Sequence, residues 1–122
     1  MSDIIRQGIR EPKDGMPCLS RVVEHAGVVY VAGITPDPEG DIKTQTAQVL
    51  ERIDAALALA GTDKSKLLKA EIWITNMLLF ADMNSVWNSW VDQKNPPVRA
   101  CVRADMYRPE ILVEIMVTAA KY

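Results

Sequence analysis

At 122 residues the chain has the length of one ordinary domain, with room for a single core. Hydrophobic residues make up 48% and charged residues 25%, a globular composition, and a net charge of −2 offers no basic face to nucleic acid or to an anionic membrane. Two cysteines, Cys18 and Cys101, and one histidine are too few for a disulfide framework or a zinc site.

The leading stretch MSDIIRQGIREPKDG is too polar for a secretory leader, and no apolar run approaches a membrane span. A reducing cytoplasm is the expected compartment. Residues 1–16 read as a short N-terminal segment, closed by the turn-rich EPKDGMP. The rest of the 122 residues reads as one domain without repeats or linkers.

SRVVEHAGVVYVAG predicts a β-hairpin, with β-branched runs at 22–24 and 28–31 around a short turn. TPDPEGD follows as a loop. Asp41 is a candidate helix N-cap, and Thr46, Val49, Leu50, Ile53, Leu57 and Ala60 then recur at helical spacing until Gly61. TDKSKLL reads as a turn, capped by Thr62 or Asp63. KAEIWIT alternates, with Ala70, Ile72 and Ile74 on one face, and predicts a strand. Met83, Val86, Trp87, Trp90 and Val91 give a second helix, ended by Pro96 and Pro97. Two further strands complete the chain, over 98–104 and 112–119. The order β-β-α-β-α-β-β predicts an α+β domain: one mixed sheet with both helices on one face.

In the last two strands, Val98, Ala100, Val102 and Ala104 share one face, as do Val113, Ile115, Val117 and Ala119. If the helices cover these faces, Arg99, Cys101 and Arg103 lie on the other side with Leu112, Glu114 and Met116. Pairing the strands as a hairpin sets Arg99 opposite Glu114 and Arg103 opposite Glu110, two opposite-charge pairs. A partly apolar sheet face without a helix to cover it points to an oligomer.

The familiar catalytic templates are absent. His25 falls at a hairpin turn, and there is no phosphate-binding glycine loop, nucleophile elbow or metal motif. Trp87 and Trp90 fit core packing. Arg99 and Glu114 admit two readings. One is an interstrand ion pair, although buried pairs add little net stability. The other is a site, with the arginine fork gripping a carboxylate and the glutamate holding a water.

The run PPVRACV, followed fifteen residues after its arginine by the glutamate of LVEI, resembles the C-terminal signature of the RidA/YjgF family. GVVYVAGITPD, DIKTQTAQVLERIDAALALAG and KAEIWITNMLLFADMNSVW precede it in family order. The resemblance runs over roughly residues 17–121. It implies a chorismate-mutase-like fold and a homotrimer with three clefts between subunits. It implies cofactor-free hydrolysis of reactive enamines and imines, such as 2-iminopropionate, to 2-oxo acids and ammonia. Arg99 would grip the substrate carboxylate and Glu114 would position the water. Gly33, Cys101 and Asn84 would line the pocket.

This sequence carries Leu19 where deaminating members usually have tyrosine, Ala32 where serine is common, and RADMYRPE after the arginine. Besides a chaperone-like role, which the sequence does not address, two rivals stand beside a deaminase. One is a small-carboxylate-binding protein without turnover. The other is the older family label of endoribonuclease or translation inhibitor, which a net charge of −2, three tyrosines and one histidine make physically weak.

Overall fold

A computed structural model describes residues 3–122; Met1 and Ser2 of the N-terminal segment lie outside the described residues. The elements are β1 (Ile5–Gln7), β2 (Val22–His25), β3 (Val28–Val31), α1 (Ile42–Leu59), β4 (Leu67–Ile74), α2 (Phe80–Trp90), β5 (Val98–Arg103) and β6 (Val113–Ala120). They form one mixed sheet in the order β1-β2-β3-β6-β4-β5.

Local chemistry explains most boundaries. Ala26 and Gly27 both take positive φ, +51° and +78°, which matches the twist of a tight hairpin between β2 and β3. The Asp41 carboxylate accepts the Thr44 N–H and starts α1. Asp63 caps a short helical turn over Lys64–Lys66, and Asn76 caps another that leads into α2. β1, three residues long, lies in the N-terminal segment expected to precede the body; it adds an edge beside β2.

The core lies between the sheet and α1. Val49, Leu50, Ile53 and Leu57 of the helix are buried against Val29 and Val31, Ala70, Ile72 and Ile74, and Val113, Ile115 and Val117. Helix α2 packs beside α1, closing the layer with Met83 and Trp87.

The last two strands do not form a hairpin. β6 lies between β3 and β4, antiparallel to both, while β5 pairs only with β4 and runs parallel to it. Arg99 therefore stands beside Ala70, not Glu114, and Arg103 beside Ile74, not Glu110. The faces of β5 are also the reverse of the expectation. Side chains of directly paired residues share a face. Ala70, Ile72 and Ile74 are buried under the helices, so Arg99, Cys101 and Arg103 point to that side. Val98, Ala100 and Val102 turn to the open face, where Val98 is 69% and Val102 51% exposed. The physical cause is the demand of β6. Its apolar face needs the centre of the sheet, where both edges are hydrogen-bonded, and α2 carries the chain over to the outer side of β4 as a parallel crossover.

Gln45 pins the connection that replaces the hairpin. It is buried within α1, where its amide donates to Gly40 O at 3.2 Å and to Glu110 O at 2.8 Å, and its carbonyl accepts the Leu112 N–H at 2.8 Å. Gln45→Leu leaves buried backbone groups without partners and should cost about 2–4 kcal/mol. Urea denaturation measures this; a midpoint equal to wild type would show that the clasp carries no stability.

Candidate functional site

The sequence-predicted site residues fall into two groups, on opposite faces of the sheet. The first forms where α2 crosses β5. Phe80, Asn84 and Trp87 recur at four- and three-residue steps and so share one stripe of the helix. The Arg99 Cζ lies 5.8 Å from the Phe80 ring centroid and 5.4 Å from that of Trp87. The guanidinium thus rests on two aromatic rings, a contact worth about 0.5–2 kcal/mol depending on desolvation. Trp87 is itself backed by Trp90, with ring centroids 5.5 Å apart, and the Trp90 indole N–H donates to the Asp54 carboxylate at 3.0 Å. Arg99 makes no ion pair among the described residues.

Cys101 follows on the same face. Burial pushes its thiol above the ordinary value, and the nearby Arg99 charge pulls it back down. The Asn84 side-chain oxygen is buried and has no hydrogen-bond partner among the described residues. A buried carbonyl without a partner costs free energy, which makes it a candidate acceptor for a ligand N–H.

Glu114 belongs to the second group. It pairs with Trp73 and so faces the open side of the sheet, away from Arg99. Its carboxylate lies directly over Gly33, where a β-carbon would collide with Glu114 Oε2 and stand 3.3 Å from its carboxyl carbon. Glycine is needed there for space. The segment is locked by Ile34 and Ile115, which exchange backbone N–H···O bonds of 2.8 and 3.1 Å. Burial raises the Glu114 carboxyl above its ordinary value, and no described cation pairs with it. A cleft of about 550 Å³ borders Gly33, with Leu19, Ala32, Arg10, Arg21 and Arg52 among its lining residues.

The structure therefore gathers Arg99, Cys101 and Asn84 on one side and Gly33 with Glu114 on the other. Sequence reasoning assigned Trp87 to the core, where it is, and missed that Phe80 and Trp87 seat Arg99. The signal was present: an asparagine set between two aromatics on one helical stripe. His25 is exposed at the end of β2, and the described residues hold no cluster of three or more metal-ligating side chains. No helix is long and apolar enough to cross a membrane.

Comparison with known proteins places the chain in a family. A RutC family protein from Haemophilus ducreyi is 42% identical over 102 residues, covering 83% of this chain and 87% of that protein. The RutC family protein YoaB from Escherichia coli is 39% identical over 101 residues, covering 83% and 89%. A crystal structure of a YjgF family member from Neisseria meningitidis superposes with a TM-score of 0.90 at 39% identity, over 98% of this chain and 96% of that one. The family model described as Endoribonuclease L-PSP matches residues 14–121. The chain belongs to this family, the RidA/YjgF family.

Proposed function

We propose that the protein hydrolyses small carboxylate-bearing enamines and imines to 2-oxo acids and ammonia, in clefts between the subunits of a homotrimer. One observation carries the reading. Among the described residues, Arg99 is seated on two aromatic rings without an anionic partner, and Glu114 is held against Gly33 without a cationic one, on opposite faces of the sheet. One chain cannot bring them to one substrate; two chains can. The open face supports assembly, because it exposes Val98, Val102, Tyr30 and Met116 around Glu114 and Trp73. The family resemblance supplies the number three.

The chemistry asks little of the protein. The imine carbon is already electrophilic. Arg99 of one subunit would fix the substrate carboxylate by paired N–H···O bonds. Glu114 of the neighbour, as the carboxylate, would hold the attacking water and take its proton. The water oxygen bonds to the imine carbon while the nitrogen is protonated. The C–N bond of the resulting carbinolamine then breaks, and ammonia leaves a 2-oxo acid. Asn84 offers an acceptor to the substrate N–H. Placement and partial desolvation account for the acceleration, and no cofactor enters the scheme.

Arg99→Ala should lower kcat/KM on freshly generated 2-iminopropionate by about 100-fold or more, read as ammonia release. Arg99→Ala and Glu114→Gln chains, each inactive alone, should regain activity when refolded together. In random mixed assemblies about a quarter of the clefts combine an intact Arg99 with an intact Glu114. No recovery, where wild-type chains refolded the same way are active, would remove the shared cleft. Binding of 2-oxo acids by wild type without imine hydrolysis would leave a carboxylate-binding protein in place of an enzyme.

A second test uses the Glu114 titration. Burial raises its pKa, and a neighbour's Arg99 would lower it again by favouring the ionised form. In the assembled protein, Arg99→Ala should therefore move the Glu114 midpoint upward in a carboxyl-carbon NMR titration. An unchanged midpoint would mean that the two side chains do not face each other across subunits.

A further inference from the structure

The cleft beside Gly33 carries more positive charge than a three-carbon imine can use. Arg10, Arg21 and Arg52 all line it. Arg52 is committed elsewhere, donating to Thr35 O at 2.8 Å and to the Asp37 carboxylate at 2.8 Å. Arg10 and Arg21 make no ion pair among the described residues. Both stand on ordered backbone. Arg10 and Leu19 exchange N–H···O bonds of 2.8 and 3.1 Å, and the Arg21 carbonyl accepts the Ala32 N–H at 2.9 Å. The Arg21 stem packs so closely on Gly8 that a β-carbon there would stand 2.7 Å from Arg21 Cβ. Two arginines at one cleft, without an ion pair among the described residues, raise its potential and attract an anion.

We infer that this cleft is a second anion subsite, and that the preferred substrate is a 2-imino dicarboxylate. The inference rests on the deaminase reading above. Arg99 of the neighbouring subunit takes the carboxylate next to the imine carbon, and Arg10 with Arg21 takes the distal one. Leu19, Ala32 and Ile34 supply an apolar wall for the methylene groups between them. Leu19 has no hydroxyl to offer, so the arginine forks are the side-chain donors that fix this end of the substrate. The reaction is unchanged. Water adds to the imine carbon, ammonia departs, and the distal carboxylate emerges unaltered in a 2-oxo dicarboxylate.

Imines generated by an amino-acid oxidase from alanine and from glutamate test the assignment. Wild type should favour the glutamate-derived imine in kcat/KM by at least about 10-fold, the scale of one charge-assisted contact. The Arg10→Gln/Arg21→Gln double variant should bring that ratio to about one, while Arg21→Lys keeps part of it. A wild-type ratio of one overturns the subsite. Calorimetric binding of 2-oxoglutarate and pyruvate to the same proteins separates the two readings. Tighter 2-oxoglutarate binding that the double variant abolishes, without hydrolysis of either imine, removes the deaminase and supports the subsite. Equal affinity for both acids removes the subsite, whichever imine is hydrolysed.

Discussion

Strand β6 is hydrogen-bonded on both edges and lies under the helical layer, and the other strands take their places from it. Val113, Ile115, Val117 and Ala119 on its inner face are each 0–1% exposed. Through β3 it joins the N-terminal hairpin, and through β4 it joins the β4–α2–β5 crossover. Through Ile115 it also holds the Gly33 segment. A slip of one residue in β6 would exchange its faces and drive Glu114 into the core. An unpaired carboxylate there would cost several kcal/mol, so core packing also dictates that Glu114 meets Gly33 on the open side.

The same strand keeps Arg99 and Glu114 apart. With β6 in the centre, β5 is left at the edge and can pair only with β4. Parallel pairing to β4 then turns Arg99 toward α2. Its guanidinium reaches the Phe80 and Trp87 rings. A charged residue is tolerated on the helical side of a sheet because it sits on the edge strand, where the layer thins.

Features set by neighbouring residues were legible in the sequence. The α1 stripe, its Asp41 cap and the alternation of β4 each depend on spacing within one element, and each stands as read. Strand order depends on contacts between distant segments, and Val98, Ala100 and Val102 carry nothing that says which neighbour they will have. Their pattern fits an inner face; the partner strand made it the outer one. Gln45 was invisible for the same reason, since its carbonyl bonds a backbone N–H 67 residues away. Arg99 and Glu114 could be singled out, because charge within apolar alternation stands out in any register. Their relation could not, because it is a property of the sheet.

What remains is a set of polar groups that the described residues of one chain leave incomplete. Arg99 has rings beneath it but no anion. Glu114 is partly desolvated but has no cation. The Asn84 oxygen is buried without a donor. Each omission costs stability, by about 1–3 kcal/mol for an unpaired buried oxygen alone. A core assembled for stability would fill these positions with apolar side chains, as it does at the neighbouring Ala70 and Ile72. The unmet groups are also complementary: a donor fork, an anion and an acceptor. A second chain presenting its open face to the first, with an acid bound between them, would satisfy all three at once. The apparent defects of the isolated chain thus have the form expected of one half of a shared site.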